Sequence, residues 1–304
     1  MEDDPTTTRH VVLGTLSGMG LGLVGFFIAS LGTGGMGLAM FLLNPVLGGF
    51  VVGWILPDRK TIGISAICSL LGSLAFLMAV GKEGPLCALM ALPFLLVGIL
   101  AGAGMGAGLR IATRPQRGPN VTTGLLVLAV PVLIFGGKQA ERPLLEKTRV
   151  EIVSTSAHVA VPPADVWLNI QSIDSVSGSK PWLMHVGLPV PQRCTLEKTG
   201  VGARRTCYFD RGFIEETVTA WDPAHHMGLR IDRTHMPGRH WLGFESADYW
   251  LEPEAGGTRL TRITTISSHL YPAWYWRPLE RWGIESEHRY ILNDTVARSL
   301  PAPR

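Results

Sequence analysis

The chain has 304 residues, room for two domains, and a formal net charge of +3, too small to mark a nucleic-acid partner. It is 46% hydrophobic and 17% charged, and its four cysteines form no CxxC pair, so no zinc or redox motif is present and no metal or cofactor is expected. These averages conceal a division: no charged residue occurs between Val11 and Pro57, whereas charges are frequent after Lys147.

A membrane span needs about 20 mostly apolar residues. The uncharged run 11–57 is too long for one span and suits two, so helices are expected over 11–32 and 36–57, with Gly32-Thr33-Gly34-Gly35 as the turn. Residues 61–81 and 86–109 are a third and a fourth, Pro93 marking a kink, and 121–137, interrupted by Pro131, is the weaker fifth. The first segment is too long, and wrongly flanked, for a cleaved signal peptide. Gly14, Gly18 and Gly22 recur every four residues, as do Gly98, Gly102 and Gly106. Small residues at that spacing let helices approach closely in lipid, serving packing within one chain or homo-oligomerisation. No Asp, Glu, Lys, Arg or His lies inside an expected span, although ion-coupled transporters carry such residues along their pathways. Residues 1–137 therefore read as a membrane region of about five helices that anchors rather than conducts ions. The charged stretch 138–148, with Pro143, reads as a linker.

The pattern changes from residue 149. Val150–Val161 alternates and is rich in β-branched residues, a strand; Pro162-Pro163-Ala164-Asp165 opens a short helix with Val166, Trp167 and Ile170 as its apolar face. Strands follow over 193–198, 227–233, 244–252 and 258–268, and a long helix runs from about residue 275 to 300. Between them, Val201–Pro223 reads as a β-hairpin turning at Asp210-Arg211-Gly212. Ala203, Arg205, Cys207 and Phe209 share one face of its first strand, and Ile214, Glu216, Val218 and Ala220 one face of its second. Each face holds one charge. A turn centred between Asp210 and Arg211 sets Arg205 directly opposite Glu216, the polar floor of an otherwise apolar concavity. One long helix must cover that concave sheet of six or seven strands, which leaves room for a pocket.

These residues carry a resemblance. Val159-x-Val-Pro-Pro-Ala-Asp-Val-Trp167, the Val-Gly-x-x-Arg…Glu-x-Val-x-x-Trp-Asp-Pro pattern of 201–223, Leu251-x-Pro-x-x-x-Gly-Thr-x-Leu-Thr261 and the terminal helix together resemble the START-like (SRPBCC) superfamily, within it the polyketide cyclase/dehydrase and lipid-transport group. The resemblance covers about residues 149–300. It implies an α+β helix-grip domain over 149–304, with a curved antiparallel sheet, a long C-terminal helix and a pocket for a hydrophobic molecule. Arg205 and Glu216 match that family's polar pocket pair. The multi-span N-terminal half departs from its soluble members.

Further candidates are weaker. His288 lies on the terminal helix among Trp282, Ile284 and Ile291, where an inward face would let it donate to a ligand carbonyl; an ordinary interior histidine is the plainer reading. Trp276 belongs to the aromatic run 271–276, a pocket gate, a bilayer-interface anchor or packing. His235 and His240 flank a Pro-Gly loop, His225-His226 is a surface turn, and the inward member of Asp248 and Tyr249 is ambiguous. No catalytic residue is assigned. The expected ligand contacts are Arg205, Glu216, Cys207, Phe209, His288 and Trp276. The expected function is membrane-anchored binding or transfer of a hydrophobic small molecule or lipid. The alternatives are a cyclase or dehydrase acting on a polyketide-like chain, and a structural or sensory protein whose domain binds another protein.

Two linked expectations concern compartment. Arg59, Lys60, Arg110, Arg114 and Arg117 put the even-numbered loops inside, so five spans leave the C-terminal domain outside the cytoplasm of a cell-membrane protein, although Lys138, Arg142, Lys147 and Arg149 oppose this. A turn centred on Gly200-Val201 sets Cys194 opposite Cys207, within disulfide reach; a shift of one residue leaves two buried thiols, the default expectation.

Overall fold

Apolar helices fill the first half of the chain and a curled sheet the second, in a computed structural model that describes residues 5–31, 35–113, 121–236 and 242–299. The chain forms two units, Met1–Lys147 with His269–Ala273, and Thr148–Ser268 with Trp274–Arg304. Gly32, Thr33 and Gly34, the basic Arg114 and Arg117, and the Pro237-Gly238 loop with His240 lie outside the described residues.

In the helical unit, α1 spans Pro5–Ser30. A π-helical turn, Ala39–Leu43, leads into α2, Asn44–Ile55, and α3, α4 and α5 span Arg59–Ala79, Pro85–Thr113 and Val121–Leu145. Among the described residues, three helices are long and apolar enough to cross a membrane: Thr7–Ser30, Arg59–Ala79 and Pro85–Thr113. Asp58 caps α3, accepting from the Thr61 amide at 3.0 Å. Both glycine stripes are consumed inside the chain. A Cβ at Gly14, Gly18 or Gly22 would press on Ser65, Ser69 and Ser73 of α3. The Ser65 and Ser69 hydroxyls donate back to the carbonyls of Val11 and Thr15, at 3.2 and 3.0 Å. Gly102 and Gly106 of α4 lie against the Val46 and Phe50 carbonyls of α2, while Gly49 and Gly53 answer from α2 against Ile99 and Ala103. Helix α5 does not end at Gly137 but continues through the expected linker, because the charges there have partners. Lys138 donates to the Leu31 carbonyl, Glu141 accepts from the Ala39 amide at 3.0 Å, and Arg142 pairs with Glu146 one turn on at 2.6 Å.

The second unit is an antiparallel sheet of seven strands gripping a long helix. Its elements are β1 Arg149–Val159, α6 Pro163–Gln171, α7 Trp182–His185, β2 Pro191–Leu196, β3 Arg204–Phe209, β4 Gly212–Asp222, β5 His226–His235, β6 Leu242–Glu254, β7 Gly257–Ser268 and α8 Ala273–Ser299. The sheet order is β1-β7-β6-β5-β4-β3-β2, a meander closed by the first strand pairing with the last. Register shifts at 215/216, 218/220 and 244/246 bend β4, β5 and β6, which is how a sheet of this size curls. The β3–β4 turn is tight: Phe209 pairs with Gly212, whose φ of 124° only glycine adopts readily.

One end of the space under α8 is solid core. Trp167 and Ile170 of α6 pack there with Val218, Leu229, Leu251, Leu260 and Leu292. Alternation dictates this filling: along β7, Leu260, Arg262, Thr264 and Ile266 turn inward while the residues between them are more open. The other end is not filled, and it holds the candidate site.

Candidate functional site

A cavity of about 660 Å³ of atom-free space, mouth included, lies between the concave sheet and α8. Its walls are mostly apolar: Phe209, Ile214, Ile231, Phe244, Ile284 and Ile291, closed on one side by the 188–191 segment. The polar groups that line it are few, namely Arg205 on β3, Glu216 on β4, Tyr249 on β6, Arg262 and Thr264 on β7, and Glu287 on α8.

Arg205 and Glu216 are opposite one another in the β3–β4 register, 2% and 5% exposed. Arg205 Nη1 donates to Glu216 Oε2 at 2.7 Å. Its Nε and Nη2 donate to the carbonyls of Gln171 and Ile170, at 3.2 and 3.4 Å. Arg205 thus closes the C-terminal end of α6, whose last carbonyls have no partner within the helix, and holds the Glu216 carboxylate in place. Either charge alone would be costly to bury; together they satisfy one another.

Cys194 and Cys207, opposite one another in the β2–β3 register, form a disulfide, so the default expectation of two thiols is corrected. The hairpin alternation sets the register, and direct opposition brings the two Cα atoms to 4.1 Å. Cys207 Sγ stands 3.7 Å from Glu216 Oε2, a packing contact, since a bonded sulfur has no proton to donate. Both sulfurs, with Phe209, line the cavity wall.

His288 and Trp276 are not among the residues lining the cavity. His288 is fully buried between two threonines, Nε2 at 2.7 Å from Thr264 Oγ1 and Nδ1 at 3.1 Å from Thr155 Oγ1. Burial, reinforced by the nearby Arg262 charge, pushes its pKa down to about 2, so the ring is neutral throughout the physiological range. Trp276 is buried beside Tyr275, ring centroids 5.1 Å apart. The ambiguity at 248–249 resolves with Tyr249 inward and Asp248 bonded to His226 at 2.9 Å. His235 stacks on Phe213 and is not among the lining residues. Among the described residues, no cluster of His, Cys, Asp and Glu is placed to hold a metal ion.

Sequence reasoning missed three polar lining residues, Arg262, Thr264 and Glu287, of which Arg262 is the cation. Arg262 lies on the inward face of β7, 9% exposed, with Nη2 donating to Glu287 Oε1 at 3.0 Å. Its guanidinium carbon sits 5.4 Å from the centre of the Tyr249 ring, and that of Arg205 6.0 Å.

Residues 151–301 match the family model described as polyketide cyclase / dehydrase and lipid transport. No curated protein matches the chain. Solved structures align with the second half at low identity. Norcoclaurine synthase from Thalictrum flavum, in complex with dopamine and hydroxybenzaldehyde, is 11% identical, covering 53% of this chain and 93% of that one, with a TM-score of 0.36. Ara h 8.0201 is 14% identical over 50% of this chain and 98% of its own, with a TM-score of 0.35. A protein from Rhizobium leguminosarum is 12% identical over 50% and 97%, with a TM-score of 0.34.

Proposed function

The C-terminal domain, residues 151–301, belongs to the polyketide cyclase / dehydrase and lipid transport family, and we propose that it binds a hydrophobic small molecule or lipid in the cavity under α8 while the N-terminal helices anchor it to a membrane. The observation that carries this reading is a mostly apolar cavity between the concave sheet and α8 with a few fixed polar groups, the make-up common to small-molecule sites. The Arg205–Glu216 pair supports it: the pair is pre-organised, so orienting one polar group of a ligand would cost no rearrangement. Anchoring would hold the pocket near the bilayer, where such ligands concentrate. The three long apolar helices support that placement. The disulfide and the basic residues of the even-numbered loops favour a domain outside the cytoplasm.

Native mass spectrometry of the full chain, released from a mild detergent, tests the reading. The expected result is a retained apolar adduct that disappears in Ile231→Trp, which fills the cavity from its half-buried wall. A wild-type chain that carries no adduct, and whose melting temperature no fatty acid, isoprenoid or sterol shifts, would overturn it.

A further inference from the structure

Arg205 and Arg262 share the cavity and the Tyr249 ring, but they differ in how their donors are used. Every nitrogen of Arg205 meets a protein acceptor. Only Nη2 of Arg262 does; its buried Nε and Nη1 have no hydrogen-bond partner among the described residues. A guanidinium does not deprotonate in a protein, so it cannot escape this cost by becoming neutral. Buried donors are almost always paired, and the exceptions call for an explanation. Of the two carboxylates lining the cavity, Glu216 accepts from Arg205 through Oε2, and Glu287 accepts from Arg262 Nη2 through Oε1. Most of the remaining wall, including Ile214, Ile231, Phe244 and Ile284, has apolar side chains, and the Thr264 hydroxyl is already bonded to His288.

Building on the ligand-binding reading above, we propose that Arg262 is the anchoring residue of this cavity and that the ligand is an apolar molecule ending in a carboxylate. The apolar wall takes the tail. The idle Arg262 nitrogens take the head group, because a charge-assisted bond to an oxyanion is roughly twice as strong as one to a neutral acceptor. Arg205, with an acceptor at each nitrogen, gives the floor its fixed polar shape, while the charge of the head group rests on Arg262. Glu287 holds the Arg262 fork from the α8 side and leaves its other nitrogens to the cavity contents.

A matched pair of fluorescent probes tests this: dansylaminoundecanoic acid and its methyl ester, each titrated into the full chain held in a non-ionic amphipol. The acid is expected to bind about tenfold or more tightly than the ester, the discrimination one charged hydrogen bond supplies. Arg262→Met is expected to abolish that preference. Equal affinity of acid and ester in the wild-type chain would overturn the carboxylate assignment while leaving the hydrophobic cavity standing, and this comparison needs no variant to fold. A preference that survives in Arg262→Met would equally overturn the role of Arg262. Binding of neither probe would overturn both this inference and the ligand-binding reading on which it rests.

Discussion

Removing one partner of the Arg205–Glu216 pair leaves the other charge buried without compensation. Arg205→Ala should therefore destabilise the domain by about 3–5 kcal/mol, whereas Arg205→Met combined with Glu216→Leu should recover most of that loss. Chemical denaturation followed by tryptophan fluorescence measures both; equal costs for the single and the double variant would show that the pair is not coupled. His288 gives a pH signature of definite sign. Its folded pKa is pushed from 6.5 to about 2 by burial, so the fold prefers the neutral ring. The stability this confers is complete above pH 6.5 and is lost as pH falls towards 2, with a slope of up to about 1.4 kcal/mol per pH unit for one proton. His288→Gln should be less stable at neutral pH but should flatten that slope, as denaturation midpoints between neutral pH and mild acid would report; an unchanged slope would assign the acid sensitivity elsewhere. At this scale the sequence is partly legible. Arg205 and Glu216 stand out because each is the one charge on an otherwise apolar strand face. Arg262 does not stand out in this way: β7 carries one arginine on each face, Arg259 and Arg262, with Ile263 on one and Ile266 on the other and threonines on both, so its inner face cannot be read from the pattern. The surroundings of His288 are set by Thr264 and Thr155, which are 24 and 133 residues away, and no local pattern encodes them.

Among the elements, the glycine stripes yield the cleanest contrast. A Cβ added at Gly102 would fall inside contact distance of the Val46 carbonyl, a backbone atom that cannot rotate away, whereas one added at Gly104 meets nothing within 4 Å. Gly102→Ala should push α2 and α4 apart and cost about 1–3 kcal/mol, the usual penalty of overpacking. Gly104→Ala on the same helix should be neutral, or stabilising by up to about 1 kcal/mol through helix propensity. Denaturant unfolding in a mild detergent compares them, and equal effects would remove the packing argument. The stripes themselves are legible from spacing, but which helix meets them is not: the serine row at 65, 69 and 73 and the answering Gly49 and Gly53 become meaningful only once the helices are paired. The run of antiparallel strands in the second unit is readable from local turn chemistry and alternation, whereas the pairing of β1 with β7, about a hundred residues on, is not. Nor is the extension of α5 to Leu145, because Glu141 and Lys138 acquire their partners from residues 39 and 31, across about a hundred positions of sequence.

For the whole molecule, the disulfide and the membrane topology make one joint prediction. Cys194 and Cys207 are 13 residues apart and directly opposed on β2 and β3, so a bond between them closes a short loop without moving the backbone. Such bonds persist where the surroundings are oxidising. Arg59 and Lys60 at the start of α3, and Arg110 in the last turn of α4, favour the cytoplasmic side for both of those ends. If α5 then crosses, the sheet domain emerges on the opposite side, where the disulfide would form and survive. Peptide mapping of chain quenched in intact cells and analysed without reduction should therefore recover a linked Cys194–Cys207 peptide, with Cys68 outside it. Cys194→Ala should lower stability by about 2–4 kcal/mol in chain purified under oxidising conditions, and by far less in chain that has been reduced. Free Cys194 and Cys207 in the quenched cells, reached by an impermeant maleimide only after permeabilisation, would put the domain in the cytoplasm. The basic residues Lys138 and Arg142 of α5 would then be the dominant topological signal, and α5 would be a helix that does not cross.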